Sequence, residues 1–196
     1  MAHEKYTSNL PGASPLRSNN DLALLTLDHD IDFAKSPCAC RLCLQDLVSD
    51  LNSKCIAHGL GDQEVNKFPL TTLRYARLDV KDQNTAECAV SVGPANNPNL
   101  FVCAGRLKLE TETCQGDSDG PLACLNAKGR FCSAGITSFG FTTCPKERPA
   151  YFTRTQAFLD WIRDHADSSD TLSFSKQLAL AIRSYVYANI SGHIQP

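Results

Sequence analysis

The stretch TCQGDSDGPLAC, residues 113–124, sets Ser118 in a turn rich in glycine and aspartate. A hydroxyl held on such a turn can stand clear of the fold, and the main-chain N–H groups around it can point at an oxyanion forming on a carbonyl under attack. Gly, Asp and Ser are also common turn residues, so the stretch by itself does not define a nucleophile. A serine nucleophile further needs a base to take its proton and a third group to orient that base. The chain has five histidines, His3, His29, His58, His165 and His193, as candidates for the base.

The elements that must hold this turn are short. From about residue 55 to 155, apolar runs alternate with turn signals: CIAHGLG, LTTLRYARLDV, NLFVCAG, GPLACL, RFCSAGITSFG and PAYFTRT. That spacing predicts an all-β sandwich or barrel. LALLTL (22–27) predicts a further buried strand, and residues 1–20, polar and rich in Pro, Ser and Asn, predict loop. In QAFLDWIRDHA (156–166), Phe158, Leu159, Trp161 and Ile162 recur at helical spacing. A polar break, SSD, separates this helix from LSFSKQLALAIRSYVYANI (172–190), where Phe174, Leu178, Ile182 and Tyr185 fall near one face. That tail reads as a helix packed on the domain, a frayed extension or a partner-binding helix. The organisation expected is one domain over 1–166 and an extension over 167–196.

Ten cysteines spread from Cys38 to Cys144 are too many for an ordinary cytosolic domain of 196 residues. They imply a disulfide framework and an oxidising, extracellular compartment. The first ten residues, MAHEKYTSNL, carry no apolar run and so no export signal, which leads us to expect that upstream sequence is absent. No window approaches the roughly 18 apolar residues of a membrane span. A net charge of −2 gives no reason to expect nucleic acid or an anionic membrane as partner. CACRLC (38–43) is followed by no second ligand pair, so neither a metal nor another cofactor is expected.

Taken together, these segments resemble the trypsin/chymotrypsin-like serine protease family. CQGDSDGPL (114–122) is similar to that family's nucleophile loop, CQGDSGGPL. NNDLALLTL (19–27) resembles its catalytic-aspartate strand, CIAHGLG (55–61) its cysteine-to-GWG turn, and FVCAG (101–105) the strand before the specificity pocket. GITSFG (135–140) resembles the pocket-wall strand GIVSWG, and PAYFTRTQAFLDWI (149–162) the ending in which PGVYTRV leads into a helix with WI. The resemblance runs from about residue 19 to 165. It implies a largely complete C-terminal β-barrel, the last strands of a mostly missing N-terminal barrel, and a C-terminal helix.

Roles follow by position. The resemblance implies that Ser118 is the nucleophile, that the N–H groups of Gly116 and Ser118 form the oxyanion hole, and that Asp21 orients the base. Asp117 would pair with the ammonium of an activated N-terminus. Glu112 would form the floor of the substrate pocket, with Gly140 and Ala150 as walls, and a carboxylate there favours an Arg or Lys side chain of a protein or peptide substrate. Cys88 would pair with Cys103, Cys114 with Cys144, and Cys55 with Cys124, while Cys43 would tie to an upstream segment. Cys38, Cys40 and Cys132 receive no partner from the resemblance.

Three departures bear on activity. Only 20 residues precede Asp21, and none forms an AAHC-like motif, so each of the five histidines reads as a surface residue and the base is missing. No IVGG-like N-terminus is present, which leaves Asp117 without a partner and predicts that its loop relaxes. Asp119 stands where the family has glycine; it either sets a negative charge beside the nucleophile or points harmlessly to solvent. The histidine decides: losing the base of a serine triad costs on the order of 10⁶ in turnover, roughly 8 kcal/mol, against about 3–4 kcal/mol for one oxyanion donor. The expected function is that of a serine endopeptidase family member working through an acyl-enzyme and cleaving after basic residues, inactive in this truncated form. The alternative is a non-catalytic protease homologue (a pseudoenzyme) that binds or regulates other proteins.

Overall fold

The computed structural model describes residues 1–8, 18–37, 39–44, 54–62, 72–88, 97–105, 113–141, 144 and 148–166. Glu112, Cys38 and the extension over 167–196 therefore lie outside the described residues.

Six strands close an antiparallel barrel in the order β3-β4-β5-β8-β7-β6. They are β3 (Lys54–Gly59), β4 (Arg74–Val80), β5 (Phe101–Gly105), β6 (Pro121–Leu125), β7 (Phe131–Phe139) and β8 (Ala150–Arg154). A small separate ribbon pairs β1 (Thr7–Ser8) with β2 (Ser18–Asn19). After β8 a 3₁₀ turn, Thr155–Phe158, leads into helix α1, Leu159–His165. The all-β expectation and the C-terminal helix are both met.

Period-two alternation explains which face each residue takes. On β4, Ala76, Leu78 and Val80 point into the barrel while Tyr75 is 61% exposed. Strand β5 is buried at every position because both of its faces are covered. Val102 and Ala104 face the interior with Leu78, Leu122 and Phe152. Phe101 and Cys103 face outward into a second cluster with Cys88, Phe139 and Tyr151. In that cluster Phe139 stacks on Tyr151 with ring centroids 4.8 Å apart. A third cluster joins Leu22, Ile136, Phe158 and Ile162, so α1 and the segment around Leu22 pack on the same side of the barrel.

LALLTL does not form the buried strand expected over 22–27. It makes a single bridge, Ala2↔Ala23. Leu22 is buried, but Leu25 and Leu27 are 42% and 45% exposed. Among the described residues only 1–3 pair with the run, at its start, and a strand is held by its pairing and packing partners.

The bridges Cys55–Cys124, Cys88–Cys103 and Cys114–Cys144 are the same three pairs the resemblance implies. Cys43 departs from expectation. Rather than reaching an upstream segment it bonds to Cys132, the cysteine left without a partner. The backbone brings this about, because residue 43 bridges residue 132 in parallel, with Cys43 N–H donating to Phe131 O and Ser133 N–H to Cys43 O. Cys40 carries a free, exposed thiol.

Candidate active site

Ser118 sits at the exposed tip of the turn that links Cys114 to β6. Main-chain bonds tie this turn down at both ends. Asp117 N–H donates to Cys114 O (3.0 Å) and Gly120 N–H to Asp117 O (3.1 Å). Asp119 N–H donates to Thr137 O (3.0 Å), and both the N–H (2.8 Å) and the hydroxyl (3.0 Å) of Thr137 donate to Gly120 O. The Cys114–Cys144 bridge fixes the start of the turn. Gly116 takes φ 93°, and Asp119 takes φ 68°, a left-handed conformation uncommon outside glycine. The exposed Gly116 and Ser118 thus lie on a turn held by β7 rather than on a loose loop.

Asp21 reaches the same strand. Its Oδ2 accepts a 2.6 Å hydrogen bond from the Ser138 hydroxyl. Burial raises the Asp21 carboxyl above its ordinary value, and the Ser138 bond opposes that rise. A shift of register between β7 and β8 falls at Ser138, between Thr137 and Phe139. Bulges of this kind re-aim a side chain. Adjacent residues of one strand therefore hold the two candidate groups: Thr137 the Ser118 turn, Ser138 the Asp21 carboxylate. Sequence reasoning missed both. The available signal was two hydroxyl residues side by side, Thr137 and Ser138, in a largely apolar strand.

The expected relaxation at Asp117 does not occur. Its carboxylate accepts from Gly61 N–H (2.8 Å) and Cys114 N–H (3.0 Å). It also fits a gap that only glycines leave open, since a Cβ on Gly59 would lie 1.9 Å from Asp117 Oδ1 and one on Gly61 would lie 2.5 Å from it. The N-terminal ammonium of Met1 is elsewhere, donating to Leu24 O. Burial pushes the Asp117 carboxyl up, the two N–H bonds pull it down, Asp62 adds to the rise and His58 offsets it. For His58 the desolvation of its half-buried ring lowers the pKa, with Asp117 pulling the other way.

The remaining predicted residues divide. Ala150 is buried at the start of β8 opposite Ala104 of β5. Gly140 follows β7, and a Cβ built on it would meet nothing within 4 Å. Glu112, the expected floor, is outside the described residues. The four described histidines have their own settings. His3 packs against Trp161 and Phe158. His29 Nδ1 lies 2.6 Å from Asp28 O, and His165 Nδ1 lies 2.8 Å from Trp161 O. His58 Nδ1 is buried with no hydrogen-bond partner among the described residues. Among those residues no group of three or more His, Cys, Asp or Glu is arranged to hold a metal. No described helix is long and apolar enough to cross a membrane.

Comparison with known proteins agrees with this geometry. The family model described as Trypsin matches residues 1–162. Rat transmembrane protease serine 9 is 33% identical over 152 residues, 77% of this chain but 14% of that protein. Human serine protease 56 is 28% identical over 163 residues, 82% of this chain and 27% of that protein. The solved structure of neuropsin, a serine protease expressed in the limbic system of mouse brain, superposes with a TM-score of 0.55 at 30% identity. It covers 66% of this chain and 55% of its own. The chain thus spans a third or less of the length of these two relatives and about half of the solved protease. Its closed barrel, its serine turn and these matches place it in one family: the chain belongs to the trypsin-like serine proteases.

Proposed function

We propose that these residues carry the nucleophile side of a serine endopeptidase site and that the chain by itself turns over no peptide. In this reading Ser118 is the nucleophile, Gly116 and Ser118 supply the oxyanion N–H groups, and Asp21, held by Ser138, is the carboxylate that orients a base. The observation that carries it is the commitment of the imidazoles. His3, His29 and His165 pack or bond elsewhere, and His58 stands beside Asp117. Among the described residues Asp21 is then held by Ser138 with no imidazole beside it. The four disulfides support an extracellular, oxidising setting. Residues 1–166 form the partial protease domain of this reading and 167–196 its extension.

The substrate is a protein or peptide with an Arg or Lys side chain entering between Gly140 and Ala150 toward Glu112. Turnover and recognition can be tested apart. A peptide ester with arginine at the cleaved position should be hydrolysed no faster by the chain than by Ser118→Ala. Benzamidine, which carries a planar cation like that of arginine, should bind the chain and bind Glu112→Gln more weakly. Hydrolysis above the Ser118→Ala background would overturn the first half, and equal benzamidine binding by both proteins the second.

One observation favours a second reading, a non-catalytic homologue that binds other proteins. Asp119 places a carboxylate in a left-handed conformation directly after Ser118. The readings part on whether the native gene product carries a further, AAHC-like histidine upstream of Met1, which mass spectrometry of the natural protein would reveal.

A further inference from the structure

Asp21 is held from two directions, and only one of them is Ser138. The residues on either side of it are both tied to the first turn of the chain. Asn20 Nδ2 donates to Lys5 O (2.8 Å), and His3 N–H donates to Leu22 O (3.1 Å). Leu24 N–H donates to Met1 O (2.8 Å), completing a short antiparallel pairing. Asn20 itself takes φ 53°, the left-handed bend that lets the chain fold back to Lys5. The position of Asp21 is therefore set by residues 1–5, and those residues must be anchored in turn.

The anchor is Trp161 on α1. The His3 ring, 8% exposed, lies 4.8 Å from the indole at an interplanar angle of 31° and meets Phe158 edge-on at 5.4 Å. Its Nδ1 accepts the Lys5 N–H (3.1 Å), which fixes the ring's rotation. Glu4 Oε2 accepts the Trp161 Nε1–H at 2.8 Å. His165 lies against Trp161 as well, with centroids 4.8 Å apart. Aromatic contacts of this kind contribute about 0.5–1.5 kcal/mol beyond the area they bury. Nearby, Leu22 packs with Phe158 and Ile162, so the clasp and the apolar contact hold one segment on both sides of Asp21.

We infer that His3 and Glu4, clasped on Trp161, are positioning residues for Asp21: they deliver its carboxylate to Ser138 and hence to the site. The inference rests on the proposed role of Asp21 in peptide hydrolysis, but its test needs no turnover.

Trp161 is the sole tryptophan, so intrinsic fluorescence reports on the clasp alone. Carboxyl ¹³C NMR reports on Asp21. In His3→Ala the emission should shift to the red as the indole becomes wet. The Asp21 pKa should fall toward the ordinary carboxylate value, because the burial that raises it is lost. His3→Phe keeps a flat ring on the indole and should restore both signals. Glu4→Gln keeps an oxygen that can accept the Trp161 Nε1–H and should leave Asp21 close to the parent. A red-shifted emission with Asp21 titrating as in the parent would overturn the inference, since the clasp would then open without moving Asp21. Should His3→Ala not fold, His3→Phe and His3→Leu carry the comparison: equal Asp21 titration in those two would overturn it, and a difference with Phe nearer the parent would uphold it. Hydrolysis of peptide above the Ser118→Ala background, with the Asp21 shift present, would count against the proposed function and not against the clasp.

Discussion

Ser138 donates its hydroxyl to Asp21 across 117 residues of sequence, and its neighbour Thr137 holds the turn that carries Ser118. One bulged strand thus sets the spacing between a candidate nucleophile and a candidate orienting carboxylate. The arrangement depends on four hydrogen bonds, three made by Thr137 and one by Ser138, rather than on a large interface, and single substitutions can address it.

Ser138→Ala removes the bond that opposes the burial of Asp21. Hydrogen bonds to charged groups are worth about 1.5–3 kcal/mol, and for this half-buried carboxylate the lower end applies. The expected loss of stability is about 1–2 kcal/mol, read from denaturant midpoints at constant m. The Asp21 pKa should rise further, the opposite of the shift expected in His3→Ala. An unchanged or lowered value would contradict the assigned bond.

The raised pKa of Asp21 also fixes the sign of a pH effect. The folded state holds the Asp21 proton more tightly than the unfolded chain does. This contribution to stability is full below the unfolded carboxylate pKa and is lost as pH rises through the folded value. Asp21→Asn removes the ionisation. Its stability relative to the parent should therefore be greatest at neutral pH and should diminish on acidification into the carboxylate range. Thermal melts across that range check the trend, and a relative stability that grows on acidification would contradict it.

The glycines around Asp117 give a steric contrast. A Cβ at Gly59 must displace the Asp117 carboxylate, whereas a Cβ at Gly140 meets nothing. Gly59→Ala should cost about 2 kcal/mol or more, as overpacking of a filled site does. Gly140→Ala should stay within about 0.5 kcal/mol of the parent. Similar costs in the two variants would mean that the carboxylate is not seated between the glycines.

Much of the barrel was legible because its signals are local. FVCAG, GPLACL, RFCSAGITSFG and PAYFTRT became β5 to β8, since apolar runs bounded by turn residues specify strands whatever they pair with. The motif around Ser118 and the three family disulfides were equally readable. What stayed hidden depends on partners distant in sequence. LALLTL has a strand's composition but lacks pairing neighbours past Leu24 among the described residues, and periodicity carries no information about what a run pairs with. Cys43 finds Cys132 only because the fold sets the two backbones side by side. Asp117 read as unpaired because its donors are main-chain N–H groups, which no side-chain pattern announces. The Asp21–Ser138 bond needed the register shift in β7, a feature of pairing rather than of composition.

Asp119 separates strain from charge. A left-handed conformation costs an L-residue roughly 1–2 kcal/mol, least for Asp and Asn. Asp119→Gly should be at least as stable as the parent, and Asp119→Val should be destabilised by over about 1 kcal/mol, a bulky β-branched residue being an outlier at this φ. If Asp119→Val were as stable as Asp119→Gly, the turn would not hold the conformation described.

The labelling rate of Ser118 by a fluorophosphonate probe tests the central claim most directly. A serine with no imidazole to act as its base reacts slowly, however well its turn is built. We predict that the intact 196-residue chain labels no faster than Ser118→Ala, with Asp21→Asn making no difference. Rapid labelling at Ser118 that disappears in Asp21→Asn would show that an imidazole is already working between them, and would contradict the claim that none is in place.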